Sequence, residues 1–166
     1  MAEMQLEAGA RTLPLLAVLF LPIVLGLPSL YEWANPEEVA HDSLLQWKAL
    51  YLNVPFFILR AAFYFLVWFA FTRLLTRWSA EQDAAGDPRL GVKLEYLSRG
   101  GLVAMALTMT FASFDWTMSL QPHWFSTIYG VIFIGGSFIS AFAFCIVVTC
   151  MLVTRPPVEG VVKVDQ

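Results

Sequence analysis

The chain has 166 residues, 58% of them hydrophobic and only 14% charged, with a mean hydropathy of +0.66 and a net charge of −3. That excess of apolar residues is far from an ordinary soluble domain, and the absence of a basic stripe excludes a nucleic-acid binder. Two cysteines are too few for an iron–sulfur cluster, and the two histidines, His41 and His123, both fall outside the long apolar runs, not at the membrane depth a bis-histidine haem needs.

The segment before the first apolar run carries Glu3 and Glu7 against Arg11, which is not the basic start of a secretory signal. The apolar run from 13 to 30 predicts a first membrane span, with Pro14 in its first turn and Pro22 kinking its interior. After it, Asn35, Pro36, Glu37 and Glu38 are suited to start a helix: a capping side chain, a preset φ and acids at the positive end of the dipole. One short helix is expected from there to about Leu50, lying along the interface with Trp47 and Tyr51 at headgroup level.

A second span is expected over 55–78, capped by Asn53 and holding one charge, Arg60. A polar linker over 79–99 follows, its turn at Ala85-Gly86-Asp87-Pro88. The third span, 100–120, contains Asp115, and the short loop 121–125 makes the fourth span, 126–153, its antiparallel neighbour. Arg155-Pro156-Pro157 ends that span. Each run is long enough to cross ~30 Å of hydrocarbon. The reading is an all-α, polytopic transmembrane bundle of four helices plus a short outer helix, one integral membrane domain over 1–166 with no soluble domain. With the N-terminus inside, Arg11, Arg73, Arg77, Arg89, Lys93, Arg99, Arg155 and Lys163 lie inside and only Lys48 outside, which puts both termini in the cytoplasm.

Asp115 is the main candidate for chemistry, because a carboxylate within a span is paired, faces a cavity or is functional. Thr108, Ala112, Asp115 and Ser119 share one small, polar helix face directed into the bundle. Arg60 is its natural ion-pair partner: both lie roughly 8 Å below the outer ends of their spans at ~1.5 Å rise per residue. The bland alternative has Asp115 capping, and Arg60 snorkelling to headgroups. His123, in the outer loop, is of the residue type that can take up or release protons and joins Asp115 as a candidate on a proton path, although a water-satisfied loop histidine is an equal reading. His41 reads as surface. Gly130, Ser137 and Ala141, with Gly135 and Gly136 beside them, form a small-residue strip for helix packing. The many Phe and Trp residues read as lipid-facing filler and interface belt, with a quinone or lipid groove as the other use. Cys145 and Cys150 point in different directions on one helix and read as small apolar residues, neither a disulfide nor a metal site.

The run Tyr51-Leu-Asn-Val-Pro-Phe-Phe-Ile-Leu-Arg60, and above all the run from Phe111 through Asp115, Gln121-Pro122-His123-Trp124 to Gly130, resemble a membrane subunit of alternative complex III. This is a bacterial quinol:cytochrome c or quinol:oxidase oxidoreductase, and the resemblance is to the second, F-type, of its two large polysulfide-reductase-like membrane subunits. It covers about residues 8 to 153 and includes Leu-Pro-Ile-Val-Leu-Gly at 21–26. Family members are longer, with helices before and after this region and a later His-Phe-His-Asp type segment, so the likeness is to an interior piece. The resemblance implies a bacterial inner-membrane location and other membrane, iron–sulfur and multihaem cytochrome subunits as partners. It implies that the metal groups sit in those partners and that quinone or quinol is met only through the complex. It implies an accessory role for this chain, scaffold with a candidate proton path, rather than a catalytic one. The rival reading is a small four-helix transporter or channel protomer unrelated to respiration.

Overall fold

The structure, a computed structural model, describes residue 9 and residues 12–85 and 88–152, and the described residues form helices and turns without a strand. Three helices are long and apolar enough to cross a membrane. They are α6 (Val54–Ala85), α7 (Pro88–Trp116) and α8 (Tyr129–Leu152).

The expected first span is not one helix. It is three short ones in succession, α1 (Leu13–Leu19), α2 (Leu21–Leu25) and α3 (Leu27–Leu30), each with a proline in its first two positions. The prolines are the cause. Pro22 cannot donate to the carbonyl of Val18, nor Pro28 to that of Val24, and each proline disfavours helical backbone in the residue before it. The breaks at Phe20 and Gly26 fall two residues before them. The chain direction is kept nonetheless, because Phe20 N–H still donates to Leu16 (3.0 Å) and Gly26 N–H to Pro22 (2.9 Å).

The outer segment also departs from one helix. A 3-10 turn (Glu32–Ala34) leads to α4 (Pro36–His41) and then α5 (Ser43–Lys48). Asn35 caps α4 through the Glu37 N–H, as its position implied. The break is at Asp42, whose extended backbone (φ −118°, ψ 110°) frees its carboxylate to accept from Leu44 and Leu45 N–H and start α5 anew.

The stretch expected as a linker, 79–99, is helical on both sides of residues 86–87, and those two turn residues lie outside the described ones. Good helix formers and the (i, i+4) pairs Arg77–Glu81 and Glu95–Arg99 carry α6 and α7 beyond their apolar parts, and Pro88 sits where a helix start tolerates it. Arg11, Arg155, Lys163 and the Arg155-Pro156-Pro157 stop also lie outside the described residues.

The long helices α6 and α7 form the main hairpin. Their register is marked twice, by Arg60 against Asp115 and by Trp68 Nε1 donating to Thr108 Oγ1 at 2.9 Å. Eight residues along one helix match seven along the other, so the two run antiparallel at the same pace, about 12 Å and 10.5 Å. The buried core is not central to the hairpin but gathered where α6 begins and α7 ends, the end expected to face outward and called outer for that reason, where Phe20, Leu27, Tyr31, Trp33, Leu45, Leu52, Phe57 and Ala61 pack together.

Against α7, α8 packs through a close approach at Gly130. A Cβ built there would lie 2.6 Å from Cγ2 of Thr110 and 3.1 Å from its Oγ1. Turning Thr110 gives no relief, since a β-branched side chain presents a second atom and this one's hydroxyl is tied to Ala106. Gly130→Ala is therefore expected to destabilise the chain by ~1–3 kcal/mol, and Thr110→Ala to return part of the loss, read as thermal unfolding midpoints in detergent. A Cβ added at Gly135 or Gly136, expected beside Gly130 in one packing strip, would meet no neighbouring atom within 4 Å. Ser137 turns its hydroxyl back to the Phe133 carbonyl and Ala141 is exposed, so within this chain Gly130 alone of the strip is a close-packing glycine. If Gly135→Ala costs as much as Gly130→Ala, the contact with Thr110 is not what matters.

Candidate functional site

Asp115 and Arg60 meet inside the outer third of the hairpin. Arg60 Nε lies 2.8 Å from Asp115 Oδ2 and Nη2 lies 3.0 Å from Oδ1, a two-pronged pair with side-chain exposures of only 10% and 1%. The third arm of the guanidinium, Nη1, donates to the Tyr51 carbonyl at 2.9 Å. Tyr64 O–H donates to Asp115 Oδ2 at 2.7 Å. The ring centroids of Tyr51 and Phe56 lie 3.9 and 4.3 Å from the guanidinium carbon, which packs over both rings. Each charge thus has an opposite charge, further hydrogen bonds and a ring wall, which is what burying an ion pair requires.

The face that carries Asp115 is the polar one read in the sequence. Thr108, Ala112, Asp115 and Ser119 are all buried. Ser119 donates back to the Asp115 carbonyl, and the outer segment is strapped onto the same turn: Tyr31 O–H donates to the Trp116 carbonyl (2.9 Å) and Trp33 Nε1 to the Ser119 carbonyl (3.2 Å). Burial, with the Asp115 charge second, pushes the Tyr31 hydroxyl up to about 12, so it stays a donor across the neutral range. Trp116 itself is surrounded by Phe20, Tyr64, Phe65 and Trp68, and its buried Nε1 has no hydrogen-bond partner. Ring faces are weak acceptors at best for such a donor.

His123 is not brought to Asp115. Its Nε2 lies 2.7 Å from Asp42 Oδ2, with 59% of the histidine side chain exposed. Burial pushes the Asp42 carboxyl up, but the Leu44 and Leu45 N–H groups and the neighbouring His123 outweigh it and hold Asp42 below the usual carboxylate range. Lys48 adds a second tie by donating to the Pro122 carbonyl, so the loop 121–125 is clasped to α5. His41 is exposed. Tyr64 is the member of the site that sequence reading passed over. Its signal is its place four residues after Arg60 and four before Trp68, on the face of α6 that meets α7.

Among the described residues, no three His, Cys, Asp or Glu side chains gather as a metal site would need. Compared with known proteins, the chain matches no family model and no curated protein.

Proposed function

We propose that this chain is an accessory membrane subunit of a bacterial quinol-oxidising respiratory complex, lying in the inner membrane with both termini cytoplasmic, and that its work there is scaffolding. The broken α1–α3 stretch completes a fourth crossing beside the three long helices. The resemblance of the Phe111–Gly130 run to an alternative complex III subunit supports the setting. The observation that carries the scaffold role is the Arg60–Asp115–Tyr64 cluster. A proton carrier has to offer its carboxylate to a chain of waters or side chains, whereas both oxygens of Asp115 are occupied by Arg60 and Tyr64. The cluster locks α6 to α7, and α8 presents an apolar flank (Phe138, Ile139, Phe142, Ile146) suited to lipid or to the helices of neighbouring subunits.

The test is purification of the chain from its native membrane through an affinity tag, in mild detergent. Co-purification with a multihaem cytochrome and an iron–sulfur protein, in a preparation that oxidises quinol, is the expected result. A homo-oligomer that lacks those partners and passes ions or solutes in liposomes would replace this reading with the transporter or channel one.

A further inference from the structure

At the outer end of α7 a hollow of about 350 Å³ opens between three pieces of chain: the end of α5, the outer part of α7 and the loop 121–125. It is lined by Phe111 and Phe114 of α7, by Met118 just beyond, by Lys48 of α5 and by Pro122 and Trp124 of the loop. Lys48 donates to the Pro122 carbonyl, which places the ammonium beyond the end of α7 at Trp116, above the apolar wall. An ammonium has three N–H donors, and this bond takes one. Among the described residues, no acidic side chain lines the hollow. Lys48 is also the one Lys or Arg in the outer segments 31–53 and 117–128.

The apolar wall continues inward along α7. Val103, Leu107, Phe111 and Phe114 fall within about 80° of one another at 3.6 residues per turn, so they share one helix face. That face lies between the two that α7 uses for packing: Thr110 against Gly130 of α8 on one side, Asp115 against Arg60 of α6 on the other. It is open, since Val103, Leu107 and Phe111 are 63%, 57% and 47% exposed. From Phe114 to Val103 is about 16 Å along the helix, close to one leaflet's half of the ~30 Å hydrocarbon core.

We propose that the hollow and the face below it are a binding site for one phospholipid of the outer leaflet, its phosphate taken by the Lys48 ammonium and an acyl chain laid past Phe114, Phe111, Leu107 and Val103. Charge and depth select this occupant. A phospholipid has a phosphate at headgroup level and a chain one leaflet long, and the chain offers a cation above an apolar face of that length. The lipid would fill the gap that α5, α7 and the loop leave between them, and so hold those three pieces together beside the bond from Lys48 to Pro122.

The experiment is thermal unfolding of the full chain in detergent, titrated with phosphatidylglycerol, with diacylglycerol of the same acyl chains, or with glycerol phosphate. Phosphatidylglycerol should raise the midpoint saturably, and the other two far less. Lys48→Met keeps the apolar stem and removes the charge, and the phosphatidylglycerol concentration giving half the rise should increase about 5-fold, the loss expected for one basic side chain. Lys48→Arg should keep that concentration near the parent value. Lys93→Met, which removes an exposed lysine near the inner end of α7, should leave it unchanged. Met118→Trp keeps the Lys48 charge but fills the hollow, and should weaken the effect. Each half-effect concentration is read within its own variant, so a changed starting midpoint does not affect it. Equal stabilisation by diacylglycerol would mean an apolar groove without a headgroup site, and stabilisation by glycerol phosphate alone an anion site without a chain. The same half-effect concentration in Lys48→Met as in Lys93→Met would remove Lys48 from the site. A dimer in lipid-free detergent that Met118→Trp disperses would put a second copy in the hollow. Any of these four results overturns the proposal.

Discussion

Asp115→Asn is expected to cost the chain about 3 kcal/mol of stability, and adding Arg60→Gln to that variant is expected to return a good part of it. The reason lies in what each change leaves behind. Asparagine keeps the shape of aspartate but presents an uncharged amide to a guanidinium that is 90% enclosed and has no other anion beside it. Arg60→Gln alone strands the carboxylate instead, with the Tyr64 O–H still donating to it but no opposite charge. With both changed, two neutral amides can bond to each other, and no buried charge is left over. A double-mutant cycle on thermal unfolding midpoints in detergent should show coupling well above the ~0.5 kcal/mol scatter of independent sites. Additive losses would mean that the pair does not hold the hairpin. An Asp115→Asn chain that unfolds like the parent but slows proton-coupled turnover of the complex would make Asp115 a carrier and sink the scaffold reading.

The pairing was legible in the sequence because it follows from depth alone. Two opposite charges, about the same number of residues below the outer ends of adjacent antiparallel spans, have few other remedies. Tyr64 was not legible by that route, since a tyrosine in a span reads as filler until the α6–α7 register turns it toward Asp115. The helix breaks show the same division. Pro22 announced a kink, but whether a proline bends a helix or ends it depends on what packs around it, and Phe20 at the first break is held in the core by Phe57, Phe65 and Trp116. The break at Asp42 was hidden because an aspartate fits a helix interior poorly but not prohibitively. Only its bonds to Leu44, Leu45 and His123 make the extended form win. Composition marks 79–99 as polar, which suits a linker, although charges spaced four apart stabilise a solvated helix just as well. Gly135 and Gly136 were placed in a packing strip by spacing, which cannot tell whether a neighbour is there.

Phe57→Ala should be as damaging as loss of the ion pair, about 3 to 5 kcal/mol, while Phe63→Ala, six residues along the same helix, should cost far less. In a bilayer the usual argument from apolar area fails, because lipid chains solvate a phenyl ring as well as a protein interior does. Phe63 is 56% exposed, and trimming its ring leaves space that lipid can fill. Phe57 is 0% exposed and lies between Phe20, Tyr31 and Trp33, with ring centroids 6.4, 5.5 and 5.3 Å away. Its neighbours come from the start of the chain and the outer segment, and they are held in place by Tyr31 bonded to Trp116 and Trp33 bonded to Ser119. They cannot follow the receding ring without giving up those bonds, so the cavity stays and its lining loses contacts outright. The damage should be local before it is global: the outer segment should loosen from α6 and α7 first, exposing Trp33 and shifting tryptophan emission to the red below the main unfolding transition. Equal losses for Phe57→Ala and Phe63→Ala would show that the aromatic cluster at the outer end is not the core of this chain, and that lipid, rather than the outer segment, covers Phe57.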